Sequence, residues 1–348
     1  MTSSPLPGLA GPKAEKAVSL ALQGGGAHGA FTWGVLDAIL EDGRLAIEAV
    51  SGASAGAMNA VVMAEGWRLG EAEGARRCLA DFWRDISLDG DLSPYKARLV
   101  RQALGFWTDE HSPFRFWTDF FAGFTNPYQN VLDINPLRDA LEALITFDAV
   151  RACGGVKLFI SATNVWTGKV KVFEREELTV DHLLASACLP EVFKAVEIDG
   201  VPYWDGGFMG NPPLFPLFYG VETNDVLLVQ INPIESRRTP RTRSEIRDRL
   251  SEITFNAPLL RELRAVDFVT RLLDEGKLAE ADYKRVLLHR IEPTGHFDEF
   301  PASTRRTADW TMMKTLFARG REAAQAWLAT NYDDIGVRPT IDLRPTYA

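Results

Sequence analysis

Ser54 stands between Gly52 and Gly56 in the stretch VSGASAGAMNA, and this G-x-S-x-G spacing is typical of a nucleophilic serine. The motif holds its serine on a sharp turn between a strand and a helix, where larger flanking side chains would clash. A serine hydroxyl becomes an effective nucleophile only when a neighbouring base removes its proton. The usual base is a histidine, and the chain has five: His28, His111, His182, His289 and His296.

A glycine-rich turn, GGGAHG from Gly24 to Gly29, follows one apolar run and opens a helical pattern. Three interpretations fit it: a dinucleotide-binding turn, a purely structural turn, and an oxyanion hole built from the backbone N–H groups of Gly24, Gly25 and Gly26. A dinucleotide site also needs an acidic residue at the end of the second strand. Here the predicted strand ends at Val50, and the chain continues into the serine motif without such an acidic residue.

Asp205 precedes two glycines in YWDGGFMGNPP. An Asp-Gly pair is common in ordinary turns between strands, which is the simplest interpretation. The alternative is that Asp205 accepts the proton of Ser54 directly. That role requires burial to raise its pKa above the ordinary value of about 3.9.

The elements that must position these residues are readable from the apolar pattern. AVSLAL (17–22) and LAIEAV (45–50) predict strands directly before the glycine turn and the serine motif, and helical spacing extends from Gly29 to Glu41. Further strand patterns are VKLFISATNV, KVKVFE, DVLLVQIN and RVLLHRIE. Their alternation with helical stretches predicts a mostly parallel sheet covered by helices.

Charged amphipathic helices dominate beyond about residue 240. A capping box from Thr242 to Glu245 predicts the start of one helix. A second helix is expected to start at Asn256, with Pro258 in its first turn, and to end at Gly276. We expect these helices to pack on the same domain, because the strand pattern RVLLHRIE follows them.

Composition excludes several classes of protein. The 348 residues are 46% apolar, which is enough for a large core, and the net charge of −9 disfavours nucleic acid and bulk-charge binding to anionic lipid. Three widely spaced cysteines, without a C-x-x-C, argue against a disulfide framework or a zinc site. The first residues lack a secretory pattern and no apolar run is long enough to span a membrane, so we expect a cytoplasmic protein.

These motifs, together with ASACLPEVF (185–193), resemble in type and order the patatin-like phospholipases. The resemblance covers roughly residues 17–232 and implies a three-layer α/β/α sandwich with a mostly parallel central sheet. It also implies a hydrolase of lipid acyl esters that uses a serine and aspartate dyad, with no histidine base, no metal and no cofactor. On this basis Ser54 is the expected nucleophile, Asp205 the expected base, and a lipid ester the expected partner, with transient contact to a membrane surface.

His28 departs from the family pattern. The glycine loop of the family usually carries an arginine or lysine at this position. An imidazole can titrate near neutral pH, so His28 is expected to tune the site as a titratable replacement for a fixed charge. The simpler interpretation is a surface histidine in the first turn of a helix.

The resemblance suggests a division of the chain into a flexible segment 1–16, a catalytic domain 17–232 with an aromatic-rich insert at about 90–130, and a helical extension 233–348. Nine aromatic residues lie between positions 106 and 128, of 36 in the whole chain. The insert could be core, a lid or acyl-chain channel, or an interface with a membrane or a partner.

Two alternative functions remain open at this stage. An ordinary α/β-hydrolase would need a late histidine for its triad, either His289 or, better, His296 because it follows the last strand. A non-catalytic protein would bind a dinucleotide or a lipid without reacting at Ser54.

Overall fold

An eight-stranded sheet forms the centre of the protein. The computed structural model describes residues 8–87, 136–236, 239–293, 304–305 and 309–347. The strands are β1 (Lys16–Leu22), β2 (Leu45–Gly52), β3 (Lys157–Asn164), β4 (Val170–Glu174), β5 (Val196–Ile198), β6 (Val201–Asp205), β7 (Asp225–Val229) and β8 (Leu287–Ile291).

The strand order is β5-β6-β3-β2-β1-β7-β8, with β4 paired to β3. The five strands from β3 to β8 along this order are parallel to one another, whereas β4, β5 and β6 pair antiparallel. The six strands predicted from apolar runs are all present. The short strands β5 and β6 were not predicted, because VEI and VPYWD lack a long apolar run.

Helices cover both faces of this sheet. They are α1 (Gly29–Asp42), α2 (Ala55–Asp85), α3 (Pro136–Leu144), α4 (Phe147–Ala152), α5 (Val180–Ser186), α6 (Pro216–Tyr219), α7 (Arg243–Asp274), α8 (Trp310–Asn331) and α9 (Leu343–Tyr347). Alternate side chains of β1 point to opposite faces, so Leu20 packs with α1, α2 and α8 while Ala21 packs with α6 and α7. This arrangement confirms the predicted α/β fold with helices flanking a mostly parallel sheet.

The helix α7 corrects the prediction of two separate helices. It begins at the predicted capping box, in which the Glu245 N–H donates to Thr242 Oγ1 at 3.2 Å, and continues through Pro258. Phe255, Leu259 and Leu263 are buried on one side of the helix before and after the proline. Their shared packing outweighs the hydrogen bond that the proline cannot donate.

The C-terminal helix α8 packs closely against α1. A Cβ added to Gly34 would overlap the carbonyl oxygen of Phe317, and one added to Gly320 would overlap the carbonyl oxygen of Phe31. Two backbones can approach this closely only where side chains are absent. The residues beyond 233 therefore complete the core around the first helix of the chain.

The structure describes part of the N-terminal segment and none of the aromatic-rich insert. Leu9 lies in the segment 1–16 that was expected to be flexible, yet it is buried and its N–H donates to Ile47 O at 2.8 Å. Burial of Leu9 against β2 fixes this part of the segment. The aromatic insert lies outside the described residues.

The α1–α8 contact gives a first prediction. Helix propensity alone would make Gly34→Ala and Gly320→Ala more stable, each by about 1 kcal/mol. We expect instead that each variant lowers the free energy of unfolding by about 2 kcal/mol or more, because the new Cβ overlaps a backbone carbonyl. Urea denaturation followed by circular dichroism measures the change.

The matched control is Gly154→Ala, since a Cβ at Gly154 meets no atom within 4 Å. This variant should stay within about 0.5 kcal/mol of the wild type. Equal stability of all three variants would show that α8 does not pack tightly on α1.

Candidate active site

Ser54 occupies the turn between β2 and α2. Its φ of 51° lies in the left-handed region that favours glycine. A Cβ at Gly52 would stand 2.7 Å from the Gly56 carbonyl carbon, and one at Gly56 would overlap Leu22 O. The two glycines of the motif are thus required by the close approach of the turn to itself and to β1, and the turn places a largely buried serine, 8% exposed, just beyond the end of the strand.

Asp205 ends β6 on the other side of β3. The strand register pairs Ile160 with Gly52 and Ala162 with Asp205, so Asp205 lies level with Ser54. The Asp205 N–H donates to Cys188 O at 2.8 Å, and its carboxylate accepts the Gly207 N–H at 2.7 Å. The D-G turn therefore holds the Asp205 carboxylate at the same edge of the sheet as the serine.

The Asp205 carboxyl is removed from solvent, with 1% of the residue exposed. Desolvation raises its pKa to about 7, against the opposing effect of hydrogen bonds from the Gly207 N–H and the Ser54 side chain. The structure thus brings Ser54 and Asp205 into contact. A carboxyl group with a pKa close to the pH of the solution can both accept and return a proton.

The glycine loop packs directly on the serine turn. A Cβ at Gly24 would lie 2.7 Å from Ala53 O and 2.8 Å from Ser54 Cβ. The Gly24 N–H already donates to Asn211 Oδ1 at 2.7 Å. The next two N–H groups along the loop belong to Gly25, which is buried, and Gly26, which is exposed.

Side-chain amides that the sequence analysis missed hold this loop in place. Asn232 Nδ2 donates to Gly24 O at 2.7 Å, and Gln23 Oε1 accepts the backbone N–H of Asn232 at 2.8 Å. Gln23 Nε2 in turn donates to Asn256 Oδ1 on α7 at 2.9 Å. A polar residue next to each glycine or proline turn, as in LQGGG, GNPP and INP, was the available signal.

Ser186 gives the ASACLPEVF segment a structural role next to Ser54. Its hydroxyl oxygen accepts the backbone N–H of Ser54 at 2.9 Å. Ser186 ends α5 and is fully buried. The ASACLPEVF segment therefore fixes the backbone of the serine turn.

His28 is neither a surface residue nor a titrating one. It is 1% exposed, its Nε2 lies 2.8 Å from Thr304 Oγ1, and burial lowers its pKa to about 3. The expectation of a titratable charge near neutral pH is therefore wrong, because desolvation keeps the imidazole neutral. A role in tuning the site through shape and hydrogen bonding stays a prediction.

A positive charge nevertheless approaches the loop from the C-terminal part of the chain. A Cβ at Gly26 would overlap the backbone oxygen of Arg305, and the Arg305 charge further lowers the pKa of His28. Its guanidinium Nη2 lies 3.8 Å from Glu252 Oε1 on α7. Thr304 and Arg305 thus lie against the glycine turn at His28 and Gly26.

The other described histidines serve elsewhere. His289 on β8 lies 2.9 Å, through Nε2, from Asp225 Oδ1, and His182 belongs to the capping box of α5. The register places His289 level with Val50, on a strand three places from β2, which is about 14 Å across the sheet. His111 and His296 lie outside the described residues.

Within the described ranges, no group of three or more His, Cys, Asp or Glu side chains is placed to hold a metal ion. In the same ranges no helix has the length and apolar character needed to cross a membrane.

The family model described as "Patatin-like phospholipase" matches residues 20–218, more than half of the chain. No curated protein sequence matches significantly.

Solved structures show weak similarity. VipD from Legionella pneumophila has 16% identity and a TM-score of 0.41, over 94% of this chain and 72% of that one. ExoU in its heterodimer with SpcU from Pseudomonas aeruginosa has 17% identity and a TM-score of 0.38, over 96% of this chain and 60% of that one. Human GIVD cytosolic phospholipase A2 has 19% identity and a TM-score of 0.23, over 46% and 23%.

The perturbed carboxyl gives a prediction about reactivity. Covalent labelling of Ser54 by a fluorophosphonate should accelerate with rising pH, with a midpoint near the Asp205 pKa of about 7. The sign follows from the ionised carboxylate being the form that accepts the serine proton. The rate of labelling, followed by mass spectrometry across this pH range, gives the midpoint.

His28→Gln and His289→Gln are the controls, and neither should move that midpoint. Asp205→Asn should remove the pH dependence along with most of the labelling. A midpoint that disappears in either histidine variant would assign the titration to an imidazole.

Proposed function

The chain belongs to the patatin-like phospholipase family, and we propose that it hydrolyses lipid acyl esters with Ser54 as nucleophile and Asp205 as its base. One observation carries this proposal: a buried carboxyl with a pKa of about 7 is hydrogen-bonded to a serine on a strand-to-helix turn. The family supports the reaction class, and the contacts of the two side chains support their roles.

In the first step Ser54 Oγ attacks the acyl carbonyl carbon while its proton passes to Asp205. The carbonyl oxygen gains the negative charge and accepts hydrogen bonds from the Gly25 and Gly26 N–H groups. When the tetrahedral intermediate collapses, the ester C–O bond breaks and Asp205 gives the proton to the departing alcohol oxygen. The product of this step is an acyl group on Ser54.

In the second step water is the nucleophile and Ser54 is the leaving group. A water molecule loses a proton to Asp205 and attacks the acyl carbonyl carbon. The bond from that carbon to Ser54 Oγ then breaks, and Asp205 returns the proton to the serine. A fatty acid leaves and the free enzyme is restored.

Two features of the fold support a dyad without histidine. Ser54 lies at the N-terminus of α2, where the positive end of the helix dipole stabilises a developing alkoxide. Burial of Asp205 raises its proton affinity into the range where a single carboxylate can serve as base. His289 is the described histidine that a triad could use. It contacts Asp225 and lies far across the sheet from Ser54.

The chemistry of the substrate suggests that the enzyme acts at a membrane surface. Lipid esters are held at membrane surfaces, so we include transient contact with a membrane, from the cytoplasmic side, in the proposal. Whether the aromatic insert provides an acyl-binding channel is a prediction that falls outside the described residues.

The dyad predicts a non-additive pattern of activity. Ser54→Ala and Asp205→Asn should each reduce kcat for a short-chain soluble ester by about 10³-fold or more, because neither residue works without the other. The double variant should be scarcely slower than either single variant. Burst-phase and steady-state assays of ester hydrolysis measure this.

His289→Ala is the discriminating control, with folding checked by circular dichroism. It should retain most of its activity, although loss of the contact with Asp225 can lower stability. A folded His289→Ala protein as inactive as Ser54→Ala would refute the dyad and favour a histidine triad.

A further inference from the structure

The outward face of the first half of α7 carries three aliphatic side chains in contact with solvent. Ile246, Leu250 and Ile253 are 45%, 58% and 51% exposed. Their i, i+4, i+7 spacing aligns them along about 10 Å of one helix face. We call these three residues the α7 ridge. Single exposed aliphatic residues are common, but an aligned set on one helix is typical of a binding surface.

The charges around the α7 ridge are positive. Arg243 and Arg247 are exposed on the same face of the helix. The carboxylates of these turns, Glu245, Asp248 and Glu252, are only partly accessible and lie on the other sides of the helix. The net charge of −9 for the whole chain is therefore reversed at this surface.

The inner face of the same turns forms part of the candidate active site. Phe255 O accepts a hydrogen bond from Asn211 Nδ2 at 3.2 Å, and Asn256 Oδ1 accepts one from Gln23 Nε2 at 2.9 Å. Glu252 lies beside Arg305, which contacts the glycine loop. The α7 ridge is thus separated from the groups that hold the glycine loop by about one helix diameter, roughly 10 Å.

We propose that the α7 ridge docks the protein on the surface of a bilayer containing anionic phospholipid, an inference that rests on the proposed lipid hydrolase function. Aliphatic side chains of an amphipathic helix enter the boundary between headgroups and acyl chains, while arginines bind the phosphates. Docking through this face would bring the catalytic serine close to the lipid layer that holds its substrate.

The charges of Arg243 and Arg247 argue against a second copy of the chain as the partner that binds the α7 ridge. In a two-fold symmetric contact the same patch faces itself, so Arg243 and Arg247 would meet arginines. The exposed face between residues 243 and 254 offers no carboxylate to pair with them. An anionic surface satisfies both the apolar and the charged parts of this face.

Vesicle flotation of the full-length protein tests the proposal directly. Vesicles of phosphatidylcholine are compared with vesicles that also contain phosphatidylglycerol. We expect tighter binding to the anionic vesicles, weakened by added salt. Arg243→Gln with Arg247→Gln should reduce that binding by roughly fivefold per arginine. The triple variant Ile246→Ser, Leu250→Ser, Ile253→Ser should lose binding to both kinds of vesicle.

The matched control is Val337→Ser with Arg338→Gln, an exposed apolar and basic pair that follows Gly336, whose N–H donates to Asp225 Oδ1 at the start of β7. It should bind vesicles like the wild type. Turnover of a soluble short-chain ester should be the same in the triple variant and the wild type, whereas turnover of vesicle lipid should fall in the triple variant and stay at the wild-type level in this control.

The outcomes separate the docking surface from the proposed function. Wild-type vesicle binding by the triple variant overturns the docking proposal, even if both esters are hydrolysed. Sedimentation that shows a wild-type dimer dissociated by the triple variant also overturns it and assigns the α7 ridge to a second copy. Vesicle binding that depends on the α7 ridge, in a protein that hydrolyses neither ester, supports docking and refutes only the hydrolase.

Discussion

The proton affinity of one buried carboxyl group is the constraint on which the rest of the site depends. A carboxylate in water is too weak a base to activate a serine near neutral pH, since its ordinary pKa is about 4. Burial of Asp205 raises that pKa to about 7. The same burial has a cost, because in the proposed reaction the charged carboxylate must exist in a region of low dielectric. Hydrogen bonds from Gly207 and Ser54 limit that cost without removing the shift.

Positioning of the groups around this carboxyl follows from the sheet. The C-terminal ends of β1 and β2 deliver the glycine loop and the serine to one edge, and β6 brings Asp205 to the same level from the opposite direction. Ligands of open α/β sheets bind at this edge for the same reason. The glycine loop and the turn at Ser54 then touch each other so closely that only glycine fits at Gly24. The geometry of the candidate site and the packing of the backbone thus depend on the same contact.

Helix α7 and the Thr304–Arg305 pair show that the C-terminal third of the chain belongs to the site. Asn256 connects α7 to Gln23 and so to the glycine loop, and the backbone of Arg305 lies close to Gly26. The position that carries a basic residue in the family is a neutral, buried histidine in this chain, while an arginine approaches from residue 305. The outer face of α7 concentrates positive charge on an acidic protein, which the bulk composition conceals.

The sequence by itself determined the chemistry-bearing motifs and most of the sheet, because both depend on local rules. G-x-S-x-G, the glycine turn and the D-G pair predict tight turns, and long apolar runs predict buried strands. Local pattern could not find β5 and β6, whose short sequences form strands only by pairing with β3 and with each other. It also divided α7 at Pro258, where tertiary packing on both sides keeps the helix continuous.

Only the tertiary structure decided which proton acceptor meets Ser54 and which charges titrate. Whether Asp205 is an ordinary turn residue or a base depends on its desolvation, and desolvation is set by residues distant in sequence. For the same reason His28 could be read as a surface residue or a titrating one, although burial under Thr304 and Arg305 makes it neither. The sequence specifies the type of each side chain, but its proton affinity is set by the residues that the fold places around it.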